Sequence, residues 1–111
     1  MKLEFLYFDG CPSWKRALEN LHTALTNLGS DTEIEILDIE DDAQADLHRF
    51  QGSPSIKVDG VDLWETQQDG YHLGCRVYRT PKGLSGVPTV EMLQERLQQI
   101  IQADEEKRSA K

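Results

Sequence analysis

Cysteine is scarce in this chain of 111 residues, which holds only Cys11 and Cys75. Two thiols exclude a disulfide framework, and a domain of this length can bury an ordinary core without one. Long apolar runs are missing too, so no segment approaches a membrane-spanning helix. Cations are the minority: 12 Lys and Arg face 20 Asp and Glu, for a formal net charge of -8. That balance excludes nucleic acid and an anionic membrane surface as partners, because both need clustered positive charge. The N-terminus, MKLEFLYF, carries Glu4 and has no small-residue cleavage site, so no secretion leader is expected and the protein is placed in the cytoplasm. Thiols there are normally reduced, which disfavours a structural Cys11–Cys75 disulfide.

What is present suits one folded α/β domain over residues 1–103 and a flexible tail over 104–111, where no apolar pattern continues. Leu3 to Phe8 is short and nearly all bulky, as in a strand buried on both faces. From Pro12 onward Trp14, Leu18, Leu21, Leu25 and Leu28 mark one helical stripe, with Gly29 as its stop. Glu33 to Ile39 predicts a second strand. The acidic stretch from Asp38 to Asp42 lacks the glycine and distal glutamate of a calcium loop. It instead opens a short helix with Ala43, Leu47 and Phe50 as its apolar residues. Asp59-Gly60 predicts a tight hairpin between Ile56-Val58 and Val61-Leu63. A polar connection follows from Thr66 to Gly74, then a strand-like run from Cys75 to Tyr78. The last helix is capped by Thr89, with Leu93, Leu97, Ile100 and Ile101 on one side. The order implies a parallel pair, an antiparallel hairpin and a mixed four-stranded sheet flanked by helices.

Within that order Cys11 falls between the end of the first strand and the first long helix, where open α/β sheets collect ligands. Helix starts offer unpaired N–H groups and a positive dipole end, which favour thiolate over thiol. Cys11 is therefore the candidate nucleophile, partly exposed, with Pro12 at the first helical position. Trp14 packs against the first strand or serves as a substrate platform. Cys75 is either a small buried hydrophobe or a second thiol reaching Cys11. Arg76, Arg79 and Lys82 concentrate positive charge on a solvated strand edge. Tyr71 and Tyr78 line a pocket or pack. His22, His48 and His72 show no ligand spacing with a cysteine, so neither a metal nor a cofactor is expected.

A strand followed by Cys11-Pro12 at a helix start, with Ser53-Pro54 ahead of a later strand, resembles the thioredoxin superfamily and glutaredoxins in particular. Cys11-Pro12-Ser13-Trp14 and Cys75-Arg76-Val77-Tyr78 are also similar to small bacterial thioredoxin-like proteins, some labelled as resembling alkylmercury lyases. The resemblance spans about Leu3 to Ile101 and implies a thioredoxin-like fold with a cis peptide at Pro54, packed against Cys11. It also implies Pro12, Ser13, Trp14, Ser53, Pro54 and Arg76 as substrate-binding residues around catalytic Cys11 and Cys75. Where the family's centre is C-x-x-C, Trp14 replaces the second cysteine, so any resolving thiol must be Cys75 or come from outside. The lysine and Gly-Gly that glutaredoxins use for glutathione are also replaced. The expected activity is thiol–disulfide or thiol-transfer exchange with a protein or small-molecule partner. A binding module without catalysis and soft-metal or organomercurial thiolate chemistry are the other readings.

Overall fold

The first strand sets the layers. In β1 (Leu3–Tyr7), side chains alternate between faces, and both faces are covered. Leu3 and Phe5 enter one apolar cluster and Leu6 enters another. Burying each such side chain is worth about 1.5–3 kcal/mol, and together these residues explain the unbroken apolar run. This computed structural model describes residues 1–64, 70–71 and 73–109, with side chains through residue 106.

The chain continues as α1 (Trp14–Asn27), β2 (Ile34–Asp38), α2 (Asp42–Leu47), β3 (Ser55–Val58) and β4 (Val61–Asp62). A separate hairpin of β5 (Tyr78–Thr80) and β6 (Gly83–Ser85) precedes α3 (Val90–Ser109). The main sheet has the order β2-β1-β3-β4. Its first pair is parallel, with Leu3 opposite Ile34, and the other two pairs are antiparallel. The architecture is thus a mixed four-stranded sheet with helices, as expected. The larger core joins Leu3, Phe5, Ile56 and Val58 to Leu21 and Leu25 of α1 and to Leu93 and Leu97 of α3. The smaller one, on the side of α2, holds Leu6, Ile39, Ala45 and Phe50.

Local signals account for most boundaries. The helix α1 ends where Ser30 N–H bonds the Leu25 carbonyl and Gly29 adopts a φ of 68°, a left-handed stop that glycine tolerates. Asp59 and Gly60 both have positive φ, at 52° and 83°, the backbone of a tight two-residue hairpin. Asp41 caps α2 by accepting from Gln44 N–H at 2.8 Å, and Thr89 accepts from Met92 N–H at 3.1 Å ahead of α3.

Four expectations need correction. In α2 the buried residue is Ala45, whereas Ala43 and Leu47 are exposed. The helix ends at Leu47 and the chain turns at Arg49 (φ 50°), so buried Phe50 lies outside the helical phase that seemed to link it to Leu47. The strand expected at Cys75 to Tyr78 begins only at Tyr78, and it pairs with β6 rather than with the main sheet. The turn that makes this possible is Pro81-Lys82-Gly83, with Gly83 at a φ of 112°. Finally, α3 runs on to Ser109, past the stop placed at residue 103, because Asp104 to Arg108 contains no helix breaker. Residues 66–69 and 72 of the polar connection expected from Thr66 to Gly74, and residue 65 just before it, lie outside the described residues, His72 among them.

Candidate functional site

Cys11 leaves β1 through a tight turn, its amide donating to the Phe8 carbonyl at 2.9 Å. Pro12 and Ser13 form a turn, and α1 starts only at Trp14 with Ser13 as N-cap. Pro12 is therefore outside the helix rather than its first residue, because the chain needs two residues to swing from the strand direction into the helix. The Ser13 side chain makes no capping bond. It packs instead on Gly86, where an added Cβ would sit 2.6 Å from Ser13 Oγ.

Cys11 is 1% exposed, contrary to the expected partial exposure. The cover comes from a distant segment. Its thiol donates to the Ser53 carbonyl at 3.5 Å, and Ser53 Oγ accepts from Phe8 N–H at 2.9 Å. The Ser53-Pro54 peptide bond is cis. Ser53 also forms a parallel bridge with Cys75. Ser53 N–H donates to the Gly74 carbonyl at 2.8 Å, and Arg76 N–H donates to the Ser53 carbonyl at 2.9 Å. One residue thereby gathers both cysteines, with Cys75 held between two backbone bonds.

Ser53 thus brings the two thiols near each other. The Cys75 thiol is held above its ordinary value of 9.0, first by its hydrogen bond with Cys11, then by partial burial, then by repulsion from Cys11. Cys75 itself is exposed, so the pair consists of one covered sulfur and one accessible sulfur.

Arg76 does not line this site with its side chain, and the expected solvated cluster with Arg79 and Lys82 is split. Arg79 and Lys82 are exposed, whereas Arg76 is 5% exposed. Its guanidinium pairs with Asp62 at 2.8 Å, donates to Ser55 Oγ at 3.3 Å and to the Trp64 carbonyl, and lies 4.7 Å from the Tyr78 ring centre. A buried guanidinium requires such partners, since desolvating an unpaired charge is prohibitive. Among the described residues its Nε is left without one. The neighbouring Tyr78 donates its hydroxyl to the Pro54 carbonyl at 2.5 Å. Burial holds that phenol above its ordinary 10.0, Asp62 adds to the rise, and Arg76 opposes it.

Trp14 takes the packing role, stacked on Tyr7 with ring centres 4.2 Å apart. Tyr71 packs on the smaller core. The structure therefore brings together Cys11, Cys75, Ser53 and Pro54, sets Pro12 and Ser13 beside them in the chain, and turns the Arg76 side chain away. Sequence reasoning missed Gly52, Asp62 and the anchoring role of Tyr78. Gly52 has a φ of 110°, and a Cβ there would lie 2.9 Å from Arg76 Cβ. Its place just before Ser53-Pro54 was a legible hint, but the bulk opposing it comes from the remote Cys75 segment.

Surface hollows at Met1, Lys2, Thr32 and Glu35 (about 570 Å³) and at Val61, Asp62, Arg96 and Gln99 (about 230 Å³) contain neither cysteine. Among the described residues no three His, Cys, Asp or Glu side chains gather as a metal site. No described helix is long and apolar enough to cross a membrane. Comparison with protein-family models, curated proteins and solved structures finds no match to this chain.

Proposed function

We propose that this is a thioredoxin-like thiol–disulfide oxidoreductase whose Cys11 and Cys75 cycle between dithiol and internal disulfide. The juxtaposition of the two cysteines across Ser53, whose carbonyl takes the Cys11 thiol and whose backbone bridges Cys75, carries the reading. It supplies in space the partner thiol that Trp14 removes from the Cys11 segment. The strand order β2-β1-β3-β4 and Pro54 in cis beside Ser53, which bonds both cysteine segments, are in keeping with a thioredoxin-like arrangement. In one turn of the cycle a substrate disulfide gains two electrons and two protons and leaves as two thiols, while Cys11 and Cys75 lose their protons and form one S–S bond. A reducing cytoplasm would return the pair to the dithiol. The partner is a thiol or disulfide on a protein or small molecule, and no cofactor is required.

Peptide mapping under non-reducing conditions after mild oxidation tests the proposal. The expected product is a Cys11–Cys75 crosslinked peptide, with loss of disulfide reduction in Cys75→Ser. Intermolecular dimers alone would refute an internal cycle. The same thiol contact also suits a two-coordinate soft cation. Binding of one Cu(I) per chain without any turnover of disulfide would favour that reading instead.

A further inference from the structure

We propose that an external sulfur bonds to this protein at Cys75, and that Cys11 serves only as the internal partner that makes and breaks the disulfide. The assignment rests on the redox reading above and reverses the roles that chain order implies. Thiol–disulfide exchange needs the incoming sulfur to approach its target along the line of the bond being formed and broken, so access decides which sulfur is attacked. Cys11 is 1% exposed, with its thiol turned onto the Ser53 carbonyl. In this conformation an outside sulfur has almost no access to it. Cys75 is exposed, and the residue preceding it is Gly74, which presents no side chain.

Its backbone is nevertheless fixed. Both neighbours bond Ser53, and Arg76 is tied below to Asp62, Ser55 and Trp64. Cys75 is therefore an accessible sulfur on an anchored segment, near a covered one. Approaching Cys75 does not require either backbone bond to Ser53 to break.

The chemistry balances in two steps. Cys75 gives its proton to solvent, and the thiolate attacks one sulfur of a disulfide RSSR. The S–S bond breaks, RS⁻ leaves and takes up a proton, and a Cys75–S–S–R mixed disulfide remains. Cys11 then loses its proton and attacks Cys75 Sγ, expelling the second RS⁻, which is protonated. The substrate has gained two electrons and the cysteine pair has lost them. In reverse, an external thiolate attacks Cys75 of the internal disulfide and releases Cys11. The raised Cys75 thiol adds a signature: the first step accelerates with pH, by roughly tenfold per unit while the thiol is mostly protonated.

The test uses the full chain and cystine as the probe disulfide. Cys11→Ser, which cannot complete the second step, is expected to accumulate a stable cysteine adduct on Cys75. The adduct should form at least about tenfold faster than one forms on Cys11 in Cys75→Ser, because access controls the rate. Equal rates, or faster addition to Cys11, would overturn the assignment. Because Cys75→Ser alters the surroundings of Cys11, the unaltered protein supplies a second measurement: acid-quenched and mapped within the first turnover, it should carry its transient adduct on Cys75. An adduct on Cys11 followed by the internal disulfide would sink this assignment and leave the redox cycle standing. An adduct on Cys75 with no internal disulfide would overturn the redox cycle and the role given to Cys11, leaving only Cys75 as the point of attack.

Discussion

Replacing Asp62 with asparagine tests the anchor beneath Cys75. In the folded protein Asp62 spends one oxygen on Trp64 N–H and the other on Arg76, each at 2.8 Å. The two side chains are 4% (Arg76) and 1% (Asp62) exposed, so water cannot take over either role. Asparagine keeps one acceptor for two donors and removes the only countercharge among the described partners of the guanidinium. Breaking one side of a buried ion pair costs about 3–5 kcal/mol, because the surviving charge is left in a poor solvent. Arg76 is already short of a partner at Nε, which leaves little slack. A domain of this kind is stable by only about 5–15 kcal/mol in total. The urea midpoint should therefore fall by more than about 1 M at an unchanged slope. Asp62→Leu with Arg76→Met should recover most of the loss, since a well-packed apolar pair replaces a buried ionic one at little penalty. A loss under about 1 kcal/mol in Asp62→Asn, the range of surface pairs, would refute the buried-anchor reasoning.

Two further substitutions test the same geometry. Gly52→Ala should destabilise the fold by about 1–3 kcal/mol, since φ 110° is strained for alanine and its Cβ would press on Arg76 Cβ at 2.9 Å; the yield of Cys11–Cys75 crosslink should fall with it, and an unchanged yield would mean that Gly52 does not set the Cys75 segment. Cys11→Ala removes the largest cause raising the Cys75 thiol, so the pH midpoint for alkylation of Cys75 should move down, and an unmoved midpoint would deny the contact. The stability consequence has a definite sign. A thiol raised in the folded state contributes fully below its ordinary 9.0, and that contribution disappears as pH rises through the raised value, so Cys11→Ala should lose less stability than the parent across that alkaline window.

The order of the main-sheet strands and the helices was legible because most of these elements carried their own period or breaker, whereas the β5–β6 hairpin was not. The bulky run of β1, the stripe of α1, Asp59-Gly60 and the Thr89 cap are all short-range signals, and short-range sterics and hydrogen bonds settle them. The phase of α2 was not, because six residues are too few for a period to declare itself. The site divided along the same line. Cys11 at the end of a strand and Ser53-Pro54 before another could be singled out by neighbours in the chain alone. Whether Cys11 faces water could not, because its cover is contributed by Ser53, 42 residues away. Arg76 reads as a surface cation until Asp62 of β4 is seen beside it. Local sequence determines which backbone shapes the chain adopts; burial, charge pairing and the meeting of the two thiols are decided only when segments far apart in sequence exclude the water between them.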